Sequence, residues 1–264
     1  MARPVIALLT DFGTKDHYAG TVKGVVLGIC PDATLVDISH DVAPQDVLGG
    51  AMELSASCPY FPPGTVFLAV VDPGVGSSRR AIAADAGGYR FVAPDNGLLT
   101  LVFRDTPPAR VVELTEPRYA LPAISRTFEG RDRFAPAAAW LATGVDVAAL
   151  GRPQTSWQSL PVPEPVTDGG RIAADVLRVD RFGNLVTNVD RHTFERFAGG
   201  GGVAIEVGAS SIKAVVAGYA DAPPGSLCAL FGSAEYLEVA VNGGNAAERL
   251  SLGRGARVTI TRAG

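Results

Sequence analysis

Asp72 closes an apolar run, TVFLAVVD at residues 65–72, and Arg79 follows across Pro73, Gly74 and Gly76 in the string VVDPGVGSSRR. An acid at a strand end beside turn residues is ordinarily a cap before a solvated turn. The arginine that follows is what makes the pair worth pursuing. Asp11 in LLTDFG and Asp37 in LVDISH are further acids at apparent strand ends, and the carboxyl ends of parallel strands share one edge. An aspartate there can accept two hydrogen bonds from a vicinal diol, and an adjoining glycine turn lets a ligand approach the backbone. Asp95 and Asn96 in PDNGLL are expected to shape their turn. Farther along, VDRFGNLVTNV sets Asp180, Phe182 and Asn184 around a glycine. That is either a hairpin loop or an aromatic platform beside an amide that reads a purine edge. The string GSAEYLEVAVNGGNAAERL places Ser233, Glu238 and Asn242 between a strand and a helix start.

The three histidines, His17, His40 and His192, share no metal-ligand spacing. A dinuclear site of His40 with Asp11 and Asp37 is the alternative to a histidine satisfied within the fold, and the second is expected. No GxSxG, phosphate-binding loop or GxGxxG after a strand is present.

The elements that position these residues fall into two textures. The first part alternates PVIALLTDF, a run buried on both faces, with helical spacing in YAGTVKGVVLGIC, then TLVDI, QDVLGGAMELSASCPYF and TVFLAVVD. AIAADAG with YRFVAP reads as a hairpin, and RFAPAAAWLATG as a small-residue helix ending at Gly144. This predicts an α/β domain over 1–155 with a mixed, largely parallel sheet. The segment 156–170, rich in proline and polar residues, reads as a linker. Short β-patterned runs with Gly, Asn and Pro breaks fill 171–264 and predict a smaller all-β, barrel-like domain. Only NAAERLSL there has helical spacing, and AGGGGVA is read as a flexible hairpin tip.

Composition bounds the function classes. A net charge of −4 leaves no basic stripe, which argues against a nucleic-acid partner. No apolar run is long enough to span a membrane, so no membrane association is expected. The odd set Cys30, Cys58 and Cys228, without CxxC spacing, argues against a disulfide framework or zinc site and for a reducing cytoplasm.

Taken together, LLTDFGTKDHYAGTVKG, DISHDVAPQDVLGGA, VVDPGVGSSRR, PDNGLLT, FEGRDRFAPAAA, DRFGNLVTN and SAEYLEVAVNGGNAA resemble the S-adenosylmethionine hydroxide adenosyltransferases. These are the hydrolase relatives of fluorinase and chlorinase, and the match runs in order through nearly the whole chain. The resemblance implies attack of water on the ribose C5′ of S-adenosyl-L-methionine, giving adenosine and L-methionine without a metal or organic cofactor. It implies a homotrimer with substrate between domains of neighbouring subunits. It also implies that Asp72 and Arg79 are catalytic and hold the water, and that Asp11 holds the ribose hydroxyls. By the same resemblance Asp180, Phe182, Asn184, Ser233 and Asn242 would line the methionine and adenine ends, with the backbone near Gly243 at adenine and Phe128 also in the substrate-binding set.

One position departs from the family. TFHGRD, the common string, reads TFEGRD here, so Glu129 stands where a histidine completes the set. Asp72 and Glu129 beside one arginine would titrate together, so either is a candidate base. Glu129 could instead pair with Arg79 or Arg131 and weaken activity, or point into solvent. Two rival functions follow: a halogenase using chloride or fluoride, and a weakened S-adenosylmethionine- or adenosine-binding protein. The halogenase relatives lack the acid of DPGVG, and the fluorinases carry tryptophan where this chain has Gln45, which favours hydrolysis.

Overall fold

The structure, a computed structural model, describes residues 3–262. It divides into two compact units that meet in sequence between Pro161 and Val162.

In the first unit the chain runs β1 (Val5–Thr10), α1 (Tyr18–Ile29), β2 (Thr34–Ser39), α2 (Val47–Ser57), β3 (Val66–Val70), β4 (Ala81–Ala86), β5 (Tyr89–Pro94), α3 (Thr100–Asp105), β6 (Arg110–Leu114), α4 (Ala135–Ala142) and β7 (Gly151–Pro153). The sheet order is β2-β1-β3-β5-β4-β6-β7. The pairs β1–β2, β1–β3 and β3–β5 are parallel, and the other three pairs are antiparallel. The expected mixed sheet therefore forms, with its parallel half at the β2 edge. Residues of β3 are all buried, as their unbroken apolar run requires. The expected hairpin is β4–β5, turning through Gly87 and Gly88, both with positive φ as a tight two-residue turn demands.

The order β2-β1-β3 means that the chain leaves β1 to one side and returns to the other, which opens a crevice at the strand carboxyl ends. Thr10 pairs with Val70 in register, so Asp11 and Asp72 leave the sheet at that same edge. Asp37 corrects the sequence reading: it lies inside β2, half-exposed, bound to Lys23 at 2.6 Å and His40 at 3.1 Å. It is committed to those partners. His40 is buried, with its other ring nitrogen 2.8 Å from the Thr10 hydroxyl, which is the satisfied histidine expected.

Helix α4 is rich in alanine and packs against α1, β1 and β3. A π-helical turn, Gly130–Phe134, leads into it. Such widened turns are uncommon and concentrate at functional sites.

The second unit holds β8 (Val166–Asp168), β9 (Arg171–Val179), β10 (Leu185–Asp190), α5 (Arg191–Ala198), β11 (Val203–Val207), β12 (Ser210–Ile212), β13 (Leu227–Phe231), β14 (Tyr236–Val241), α6 (Ala246–Leu250) and β15 (Arg257–Arg262). Its sheet runs β12-β11-β15-β9-β10-β14-β13, with β8 on β9. A bridge from Val215, just past β12, to Ala229 in β13 brings the two edges together into a nearly closed barrel. Inside are Ile172, Val176, Leu185, Ile205, Val239 and Ile260.

Helix α5 was not expected. Asp190 caps it by accepting from the Thr193 N–H at 2.8 Å, and Phe194 and Phe197, three apart on one face, bury into the barrel core. The glycine run that follows is its stop and not a hairpin tip, because Gly199 takes the left-handed conformation at φ 58°.

Candidate active site

In the first unit, the turn after β3 folds Arg79 back onto Asp72. The Arg79 Nε lies 2.8 and 3.0 Å from the two Asp72 carboxylate oxygens, and its Nη2 also reaches Asp72. The same Nη2 donates to Glu129 Oε2 at 2.6 Å. All three side chains are withdrawn from solvent, at 5%, 9% and 12% exposure for Asp72, Arg79 and Glu129. Burial alone would lower the Arg79 pKa, but the hydrogen bonds and charges of the two carboxylates together hold it above its ordinary value. The guanidinium also stacks over Phe134, 5.2 Å from the ring centroid.

Glu129 thus neither points into solvent nor pairs with Arg131. Arg131 is occupied by Asp132, with its Nη2 2.9 Å from Oδ2. Burial would raise the Asp132 pKa, but Arg131 and the Ser125 N–H hold it below the usual carboxylate range. The two consecutive arginines of SSRR separate in the same way: Arg80 turns to buried Asp95 at 2.8 Å, leaving Arg79 to the cluster.

The turn itself is clasped. The Gly74 N–H donates to Asp72 at 3.2 Å, and the Arg126 Nη2 donates to the Gly76 carbonyl at 2.7 Å. Gly76 has φ 74°, and a Cβ there would run into the Arg126 carbonyl oxygen, so glycine is required on both counts. Asn96 ties the same region to β3 by donating to the Val71 carbonyl at 2.8 Å, the backbone-shaping role expected of it.

Asp11 accepts a 2.8 Å hydrogen bond from the Gln45 N–H. Gln45 holds φ 67°, an uncommon conformation for a side chain of its kind, which marks strain beside a candidate site. Next to Asp11, Phe12 packs edge-on to Phe128 and Tyr18 with ring centroids 6.0 and 6.1 Å apart, and Phe128 meets Tyr18 at 5.1 Å. Phe128 is therefore an anchored aromatic between the Asp11 strand end and Glu129.

In the second unit, Asp180 organises its own turn. It accepts from the N–H groups of Phe182 and Asn184 at 2.9 and 2.8 Å and from the Asn184 side-chain amide at 2.8 Å. Gly183, at φ 83°, sits against the Asn245 side chain with no room for a Cβ. Phe182 is left 75% exposed. It forms, with Asn184, Tyr219, Val241, Gly243 and Gly244, a cleft of about 440 Å³. Tyr219 was not anticipated. Its hydroxyl receives the Asn184 amide at 3.3 Å and donates to buried Glu238 at 3.2 Å. Burial first, and then the Glu238 charge, push Tyr219 up to about 12, so it stays a donor at neutral pH. Ser233 is exposed in the β13–β14 turn and Asn242 donates to the Ala222 carbonyl at 2.7 Å; neither lines this cleft.

Among the described residues no group of three or more His, Cys, Asp or Glu side chains is arranged to hold a metal ion, and no helix is long and apolar enough to cross a membrane.

A mixed α/β unit with a charged turn at the strand ends, joined to a barrel carrying an aromatic–amide cleft, defines a class that the comparisons identify. Residues 6–151 match the SAM hydroxide adenosyltransferase N-terminal domain and residues 174–259 match its C-terminal domain. The chain belongs to the SAM hydroxide adenosyltransferase family. It is 42% identical to the (R)-S-adenosyl-L-methionine hydrolase of Thermus thermophilus, over 98% of this chain and 99% of that protein. A fluorinase from Actinoplanes sp. is more distant, 30% identical over 98% of each. The crystal structure of an uncharacterized conserved protein from Thermotoga maritima superposes with a TM-score of 0.92 at 38% identity, covering 97% of this chain and all of that one.

Proposed function

We propose that this enzyme hydrolyses S-adenosyl-L-methionine to adenosine and L-methionine, and that the Asp72–Arg79–Glu129 cluster holds the attacking water. Relatives from Thermus thermophilus and Salinispora arenicola are (R)-S-adenosyl-L-methionine hydrolases, and we extend that epimer preference to this chain. In the step, the water oxygen forms a bond to C5′ while the C5′–S bond breaks and its electron pair returns to sulfur. Methionine leaves as a neutral thioether and needs no acid. The water's proton passes to one of the two carboxylates and then to solvent. Positioning the water in line supplies the larger part of the acceleration, and proton acceptance about 10²–10⁴-fold more.

The single observation that carries this reading is the buried pairing of one guanidinium with two carboxylates. With both ionised the cluster is net −1. A unit charge 4 Å away interacts with it by about 4 kcal/mol at an effective dielectric near 20. That attracts a sulfonium and repels a halide, which favours hydrolysis over halogenation. In the rest of the reading, Asp11 takes the ribose hydroxyls and Phe128 lies beside them. Phe182, Asn184 and the Gly243 backbone take adenine, and Asp180, Ser233 and Asn242 support the methionine end.

Each unit carries only part of these groups, which supports the homotrimer implied by the family resemblance as the assembly state. Three buried thiols, Cys30, Cys58 and Cys228, support a reducing cytoplasm. Product analysis with each epimer in chloride-containing buffer tests the function. Adenosine and methionine in equal amounts are expected, faster from the (R) epimer; a 5′-chloro nucleoside or unchanged substrate would overturn it. Glu129→Gln separates the two carboxylates: a fall in turnover matching Asp72→Ala makes Glu129 the base, and a neutral change makes Asp72 the base.

A further inference from the structure

A second cavity, of about 290 Å³, lies in the first unit under α4 and shares no lining residue with the Asp72–Arg79–Glu129 cluster. Its volume matches about ten waters. Leu114, Tyr119, Ile124, Ala137 and Leu150 give it apolar walls, and Arg133 is its cationic group. Arg133 belongs to the π-helical turn that begins just after Glu129. Its Nε is buried and has no hydrogen-bond partner among the described residues, nor does an ion pair join Arg133 to one of them. The other charged residues of that turn are matched to each other, Arg131 to Asp132. A guanidinium drawn partly out of water without a counter-charge is costly, and an anion that enters relieves that cost through charge-assisted hydrogen bonds.

We propose that this cavity is a binding site for a small monocarboxylate with a compact apolar body, its carboxylate paired with Arg133. The apolar walls and the exposed Ile124 select the apolar body. One cation fits one negative charge. Glu116 also lines the cavity, with Arg118 3.8 Å from its carboxylate, and its negative charge disfavours a dianion such as a phosphate monoester.

Calorimetric and NMR titration of the whole protein with hexanoate, 3-methylbutanoate and phenylacetate, each beside its neutral amide, tests this without reference to hydrolysis. At least one carboxylate is expected to saturate and to shift the resonances of Ile124, Tyr119 and Ala137, with its amide at least tenfold weaker. Arg133→Met is expected to bring that carboxylate down to the affinity of its amide, and Arg133→Lys to recover part of the difference. The proposal is overturned if no carboxylate saturates below about 10 mM. It is equally overturned if carboxylate and amide bind alike, if Arg133→Met changes nothing, or if the shifts centre on Asp72, Arg79 and Glu129. Should Arg133→Met fail to fold, the carboxylate–amide contrast on the unaltered protein and the Arg133→Lys variant still decide.

Discussion

The charged turn of the first unit and the cleft of the second are both built on an aspartate that folds a glycine turn around itself, but they spend their polar groups differently. Asp72 gives its carboxylate to a side chain, Arg79, which in turn draws in Glu129 from fifty residues away. Asp180 gives its carboxylate to the backbone of its own turn and to Asn184. The first arrangement is closed, ionic and nearly dry. The second is open, and its chain of hydrogen bonds runs from Asn184 through Tyr219 to Glu238 behind an exposed aromatic. A site that must orient a water needs its charges fixed before substrate arrives. A site that stacks a flat ring needs an unobstructed face.

The contrast breaks most sharply at Arg79. Its removal leaves two carboxylates buried together, and losing one partner of a buried ion pair costs about 3–5 kcal/mol. Arg79→Ala should therefore lower stability by that order as well as turnover by about a hundredfold or more. Arg79→Lys keeps the charge and the fold but loses the forked geometry, so its turnover should fall at least tenfold with little change in melting temperature. Equal stability and turnover in all three proteins would remove the cluster from the mechanism.

Asp11→Asn comes next. It keeps shape and replaces a charged acceptor with a neutral one, weakening adenosine binding by about 1.5–3 kcal/mol in calorimetry. Unchanged affinity would take Asp11 out of the ribose site.

Gly183→Ala probes the second region alone. The positive φ costs about 1–2 kcal/mol, and the added Cβ must displace Asn245. Thermal melts should record that loss, and adenosine affinity should fall as Phe182 and Asn184 shift. A variant with wild-type melting and affinity would show that the turn is not held as described.

Glu238→Gln is the smallest effect and carries a pH signature. Burial first, and the Asp180 charge after it, raise the Glu238 pKa in the fold, against the hydrogen bond from Tyr219. The folded chain then holds the Glu238 proton more tightly than the unfolded chain. Below the unfolded pKa both states are protonated and no penalty exists; as pH rises through the raised folded value, the penalty becomes complete. The glutamine variant should melt higher than the parent at neutral pH and lose that advantage as pH falls toward 4. A pH-independent difference would contradict the account.

Much of this was legible in residues. Apolar runs ending in Asp11 and Asp72 located the two strands and their shared edge, because a parallel sheet buries both faces and leaves polar groups only at strand ends. Glu129 was visible as an odd residue in a recognisable string, but its partner was not. That choice depends on Asp132 occupying Arg131 and on a clasp between Gly76 and Arg126, contacts set by tertiary packing. Asp37 looked like a strand end because the apolar run TLVDI stops one residue past it, whereas β2 continues to Ser39. Helix α5 was obscured by the β rhythm around it, although the Asp190 cap, the Phe194–Phe197 spacing and Gly199 spell its start, face and stop. Tyr219 begins a single 3-10 turn, Tyr219–Asp221, before β13, too short for any periodicity to point to it.

The claim that the charged turn delivers water to C5′ is tested most directly by turnover of (R)-S-adenosyl-L-methionine in ¹⁸O-labelled water with chloride present. The account predicts adenosine carrying the heavy oxygen at its 5′ position and unlabelled methionine, with the label yield falling in step with turnover in Asp72→Ala. Unlabelled adenosine, a 5′-chloro nucleoside, or full labelling at undiminished rate in Asp72→Ala would contradict it.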